Sequence, residues 1–275
     1  MKNGYWVTRT YISGRVGEKT KYWVSGTRET TVRGRRREKA EIRKQEQNEY
    51  SAVKGLARIL NANLTRGDIL LGLDYSDKGI EQLLAWCRAQ GMDVEHMSAS
   101  ERAEAIREAA RHALVLCMRR VSRMLQKDGI ELRCFAAVTS DMDGETGEVV
   151  RVHHHLVIPG EVKDAFLAKW KLGGVHFKSI YAEQEDYTPL AEYLLRQVRR
   201  VPDEKKYITT RNIIRPMPRD RVAVNDAELR APAGGKLLFR SEYKRGCPQY
   251  IRYTIPKGRG HRREDPDAGG ESEGV

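Results

Sequence analysis

The segment from Leu132 to Gly160 constrains the fold more than any other. Leu132 to Thr139 is an apolar, β-prone run. Asp141 to Gly147, DMDGETG, is dense in turn formers. Val149 to Ile158 returns as a second run, and Pro159-Gly160 ends it. Two such runs around an Asp- and Gly-rich connection predict an antiparallel hairpin. The flanking pattern supplies its partners. Asp68 to Asp74, DILLGLD, reads as a buried strand. Ile80 to Gln90 and Ser98 to Lys127 read as helices. In the second of these Ile106, Ala109, Ala113, Leu116 and Val121 fall on one face. Ser98 or Ser100 caps its start with Glu101 in the first turn, and Asp128-Gly129 stops it. A short helix over Val162 to Trp170, a strand over Val175 to Tyr181, a helix opened by Thr188-Pro189 and running towards Arg200, and a strand over Tyr207 to Ile214 complete the order. This order predicts an α+β fold, a mainly antiparallel sheet with helices packed on one face.

The two ends have a different character. Residues 1–32 scatter Tyr5, Trp6, Tyr11, Tyr22 and Trp23 among Thr and Gly, as short strands or an extended arm do. Arg33 to Lys44, RGRRREKAEIRK, holds seven basic and two acidic residues. It leads into a helix through Leu60, with Val53, Leu56, Ile59 and Leu60 at helical spacing. Arg33, Arg35, Arg36 and Arg37 make a phosphate-gripping arm or, alternatively, a solvated helix start. Leu237 to Tyr243 and Gln249 to Ile255 read as two more strands, and EDPDAGGESEGV as a disordered acidic tail. The expected organisation is a basic arm and helix over 1–60, a core over 61–216, a β-rich extension over 217–263 and the tail over 264–275.

Charge narrows the partner class. Lys and Arg number 50 against 38 Asp and Glu, a net charge of +12, which favours a polyanion such as nucleic acid. The apolar runs are a few residues long, far short of the ~20 that a membrane span needs, and no segment has leader-peptide shape. A membrane or secreted protein is therefore not expected. Cys87, Cys117, Cys134 and Cys247 are too far apart for CxxC redox or zinc-ribbon chemistry, and they read as reduced cytoplasmic thiols.

The strongest chemical signal is Val152-His153-His154-His155-Leu156-Val157-Ile158. Alternate residues of a strand face the same way, so His153 and His155 project together while His154 joins Leu156 and Ile158. Two imidazoles one strand-step apart can address one divalent ion. The second signal is a downstream helix, Thr188 to Gln197, carrying Tyr193. A phenol can attack a phosphodiester and hold the product covalently. Arg196 and Gln197 follow three and four residues later on the same helix face. The bland alternatives are histidines without a metal and a helical Tyr packed on the sheet.

In this order, DILLGLD, VHHHLVI and AEYLLRQ resemble the three motifs of the HUH endonuclease superfamily, and most closely the rolling-circle replication initiators of small phages and plasmids. Arg211 to Pro216, RNIIRP, is similar to the stretch after the tyrosine helix in phage-type initiators. The resemblance covers residues 68 to about 216. It implies a ferredoxin-like sheet with the His pair on a central strand. It also implies a divalent Mg or Mn ion, and Tyr193 as the nucleophile that nicks single-stranded or supercoiled origin DNA and leaves a 5′-phosphotyrosine and a free 3′-hydroxyl. A host polymerase would extend that end and a host helicase would unwind the origin, because the chain has no Walker A motif. The setting implied is the bacterial cytoplasm. The family's third ligand falls on Asp141 or on Gln197, and its lysine after the tyrosine is Arg196 here. Tyr187 is a weaker second nucleophile candidate. Lys169, Lys171, Arg199, Arg200 and Arg211 are expected to contact DNA. A transposase or relaxase would use the same chemistry. A non-catalytic RRM-like module is the alternative of another class, and it predicts exposed aromatics on the central strands.

Overall fold

A computed structural model of the chain describes residues 4–25, 37–180, 185–199 and 204–256, and gives only the helical backbone of residues 37–47. In chain order the elements are β1 (Gly4–Ser13), β2 (Val16–Ser25), α1 (Arg37–Asn63), β3 (Asp68–Leu73), α2 (Asp77–Ala89), α3 (Ala99–Lys127), β4 (Ala136–Met142), β5 (Val149–Pro159), α4 (Lys163–Lys169), β6 (Val175–Ser179), α5 (Thr188–Arg196), β7 (Arg219–Ala223), β8 (Leu237–Arg240) and β9 (Gln249–Thr254). They form two compact units, Arg36–Arg215 and Met1–Arg35 with Pro216–Val275. The chain divides near residues 35 and 216, so α1 goes with the core and not with the arm expected over 1–60. The reason is pairing. β1 and β2 find their ladder partners in β7 and β9, whereas Leu56, Ala57, Ile59 and Leu60 of α1 are buried with α5. The acidic tail lies outside the described residues.

The larger unit is an α+β fold on a four-stranded sheet of order β4-β5-β3-β6, antiparallel throughout. β3 and β4 run parallel on either side of β5, and β5 and β6 on either side of β3. Those two interleaved split βαβ units are the ferredoxin-like arrangement. One sheet face, with Leu71, Leu73, Leu156 and Ile158, packs on Leu84, Leu114 and Phe166 of α2, α3 and α4. Contrary to the expectation of helices on one face, α1 and α5 cover part of the other, over Ala136, Val138 and Val157. Leu156, Val157 and Ile158 are all buried in succession, so both faces of β5 need an apolar cover there.

Local chemistry sets the ends. Ser98 and Glu101 form a reciprocal capping box at the start of α3, and Ser76 caps α2. Gly129, at a φ of +72°, follows α3, and the Ile130 amide closes back on the Leu125 carbonyl. Two expected strands shrink. β4 begins at Ala136, not Leu132, and Tyr207 to Ile214 makes only one bridge, Ala137 to Ile208. Before β4 a single backbone bond to that stretch, from the Thr210 amide to the Cys134 carbonyl, is joined by side chains: the Cys134 amide donates to Thr210 Oγ1 and Asn212 Nδ2 donates to the Leu132 carbonyl.

The smaller unit is a five-stranded antiparallel sheet of order β7-β1-β2-β9-β8. Gly14, at a φ of +60°, turns β1 into β2. β7, Arg-Asp-Arg-Val-Ala, has no apolar alternation to announce it and is recruited by its ladder with β1. Leu229, Ile251 and Tyr253 form its small core. Among the described residues, no helix is long and apolar enough to cross a membrane.

Candidate active site

Strand alternation divides the three histidines. His154 is completely buried, with Tyr75 Oη 2.7 Å from one ring nitrogen and Thr139 Oγ1 3.2 Å from the other. Burial, reinforced by the neighbouring imidazoles, pushes its pKa down to about 3. It is a satisfied core residue. His153 and His155 lie on the opposite face with ring centroids 4.9 Å apart. His153 Nδ1 sits 3.0 Å from the Arg151 carbonyl; as donor there, it leaves Nε2 with its lone pair free to take a ligand. Burial and the adjacent His153 hold His155 down to about 4, so its ring is neutral at pH 7, as a ligand must be.

Helix α5 brings the remaining groups. Thr188-Pro189 starts it, and Ala191, Leu194 and Leu195 bury its inner face. That leaves Tyr193 on the outer face, 47% exposed, its ring centroid 6.0 Å from that of His155. The helix stops at Arg196, short of the expected Arg200, because Gln197 caps it. The Gln197 carbonyl accepts hydrogen bonds from the Asp141 and Met142 amides, both at 3.1 Å, at the point where the β4–β5 register shifts. So fixed, Gln197 places Oε1 3.0 Å from His155 Nε2. That contact is a hydrogen bond that Nε2–H donates to the amide oxygen, and its length is close to the edge of an octahedron at Mg–ligand distances of 2.0–2.1 Å, about 3.0 Å, so an ion would replace the shared proton. His153, His155 and Gln197 thus fit a divalent ion by donor type, and His155 and Gln197 also by spacing. A carboxylate is not among them: no cluster of three His, Cys, Asp or Glu suited to a metal occurs among the described residues.

Asp141, the other candidate for third ligand, is committed elsewhere. Its carboxylate is 3% exposed, with Oδ2 3.0 Å from Arg199 Nε and 3.6 Å from Arg107 Nε. These Nε contacts are off the hydrogen-bond axis and act as ion pairs, while Oδ1 accepts from the Arg199 amide at 3.2 Å. Burial raises the carboxyl pKa, and the two guanidinium groups oppose that rise. Arg107 also pairs with Glu204, and Arg199 with Glu104. This network ties α3 to the end of β4 and to the chain after α5, which is where Gln197 is held.

Other expected contacts fall apart in space. Arg199 is consumed by that network instead of facing DNA. Tyr187 is 5% exposed in the core between α1 and α5, which burial rules out as a nucleophile. Lys169 and Lys171 belong to α4 and the residues after it, and α4 packs on the face opposite the His pair. Arg196 is exposed on the last turn of α5 and Arg211 is exposed beside β4. Arg33, Arg35, Arg36 and Arg200 lie outside the described residues, as does the side chain of Arg37.

Two residues escaped the sequence reading. Gly72 pairs with His155 on one side and His176 on the other, so His176 shares the sheet face of the site. His176 Nε2 lies 2.8 Å from Asp74 Oδ2. The signal was faint: an Asp ending one strand and a lone His after Gly173-Gly174. A cavity of about 410 Å³ opens on the α2–α3 side of β4 and β5, lined by Ile80, Ile106, Val152 and Asp141, and it excludes His153, His155 and Tyr193. Comparison of the chain with protein-family models, with curated proteins and with solved structures finds no match in any of the three.

Proposed function

We propose that the unit over residues 36–215 is a metal-dependent DNA strand transferase that nicks a replication origin to start rolling-circle replication. The observation that carries this reading is the convergence of Tyr193, His155, His153 and Gln197 on one sheet face. His153, His155 and Gln197 would hold Mg or Mn, which when bound polarises the scissile phosphate. Tyr193 Oη attacks phosphorus as the bond to the 3′-oxygen breaks. The phenol loses its proton, and the 3′-oxygen leaves and is protonated. The products are a 5′-phosphotyrosine and a 3′-hydroxyl that a host polymerase extends once a host helicase opens the duplex. One phosphoester replaces another, so a later attack by a 3′-hydroxyl reseals the strand without ATP. Arg196, on the same exposed helix end, supplies positive charge for the phosphates. The central strands β3 and β5 carry no Phe, Tyr or Trp, which favours this reading over base stacking on that sheet.

The test uses labelled single strands of the replicon that encodes the chain, with Mn, on denaturing gels. The expected result is a protein–DNA adduct that EDTA, Tyr193→Phe, or His153→Ala with His155→Ala abolishes. Tight, salt-sensitive binding with no adduct on either strand would overturn the proposal.

A further inference from the structure

The smaller unit has a sheet face of its own. Among its described residues Lys and Arg number twelve against five Asp and Glu. Register sorts part of that charge into three cross-strand rows on one face of β2, β1 and β7. The rows are Trp23-Trp6-Ala223, Lys21-Thr8-Arg221 and Lys19-Thr10-Arg219. Successive rows stand roughly 7 Å apart. No acidic residue occupies any of the nine positions. Lys21 is tied down, its Nζ donating to the Ala227 carbonyl, but Arg219 and Arg221 are exposed and Lys19 is half-exposed.

The aromatic end is built with care for the backbone. Trp6 and Trp23 meet edge to face with centroids 5.5 Å apart, and Trp23 is 40% exposed. A Cβ on Gly4 would overlap the Trp23 ring, so the indole lies across the bare backbone of β1. Large flat indoles beside small threonines and the accessible Lys19 and Arg219 suit a ligand that is both planar and polyanionic. Single-stranded nucleic acid has both properties, stacking its bases and pairing its phosphates with Lys and Arg.

We infer that this face, from Trp23 and Trp6 to Lys19 and Arg219, is a second binding site for single-stranded DNA. The choice of DNA rests on the nicking activity proposed above. The site is sequence-tolerant, since any base has a π-face. It holds the strand by a unit that contains none of the cleavage residues.

Fluorescence anisotropy of the full chain with labelled dT20 in EDTA tests it, because no cleavage then complicates binding. Trp23→Ala is expected to weaken binding by about tenfold, and Trp23→Phe to retain most of it. Lys19→Gln with Arg219→Gln is expected to reduce the slope of log affinity against log salt by about 1.4. An abasic oligomer of equal length should bind wild type no better than dT20 binds Trp23→Ala. Circular dichroism controls for folding; if Trp23→Ala fails to fold, Trp23→Phe, the charge variant and the abasic oligomer still decide. Wild-type affinity in the charge variant, or equal binding of abasic and normal strands, overturns the proposal even if the Tyr193 adduct forms. Displacement of dT20 by polyglutamate at equal charge assigns the face to an acidic protein and also overturns it. Loss of the adduct with the expected dT20 results would sink the nicking reading alone.

Discussion

Replacing His154 with leucine is expected to make the protein less sensitive to acid. The ring is completely buried and its pKa lies near 3, against about 6.5 in an unfolded chain. Between those values the unfolded state binds a proton that the folded state refuses. Stability is therefore whole above pH 6.5 and falls as the pH drops towards 3, by about 1.4 kcal/mol per pH unit. From pH 7 to pH 5 the imidazole alone removes about 2 kcal/mol. His155 is also held low, but it is present in both proteins and cancels in the comparison. At pH 7 the leucine variant should be less stable by about 1–3 kcal/mol, because Thr139 Oγ1 loses the ring nitrogen it faces. Urea unfolding in EDTA at pH 7 and pH 5 measures both effects. The wild type should lose about 2 kcal/mol more than the variant over that interval, at equal m-values. Equal losses would refute the reasoning and mean that His154 is protonated or wet in the native protein. The same variant should still form the Tyr193 adduct, which separates the middle histidine from its neighbours.

Gln197→Ala should weaken Mn binding by at least about tenfold, the scale that even outer-shell groups command, and Gln197→Glu should strengthen it; calorimetry without DNA reads both, and the reverse order would point to another third ligand. Arg107→Met removes one of the two guanidinium groups on the buried Asp141 and leaves Arg199 as the other, so it should cost about 1–3 kcal/mol in urea unfolding, whereas an unchanged midpoint would mean that the arginine network is ornamental. Helix propensity alone favours Gly79→Ala by about 1 kcal/mol, but a Cβ there would run into the Leu172 carbonyl. The variant should therefore melt lower, and a rise in Tm would show that this backbone contact yields.

The α+β class, the hairpin of β4 and β5 and the division of the histidines were legible because each depends on short-range pattern. A period of two sends His153 and His155 one way and His154 the other whatever surrounds them. Ser98 and Glu101 announce α3 because a capping box is local. β7 was invisible because Arg219–Ala223 has no pattern of its own and becomes a strand only by pairing with β1, more than 200 residues earlier in the chain. The fate of the carboxylates was equally nonlocal. Asp141 stands near His153 in sequence, yet Arg107 and Arg199 claim it because a buried carboxylate must find charge partners. Gln197 reaches His155 across 42 residues because its own carbonyl is pinned to the end of β4. The sequence by itself determined which side chains share a strand face and where helices begin. Only the tertiary structure decided which polar groups are spent on each other and which remain to meet a ligand, since desolvation and pairing are settled by neighbours that chain order does not reveal.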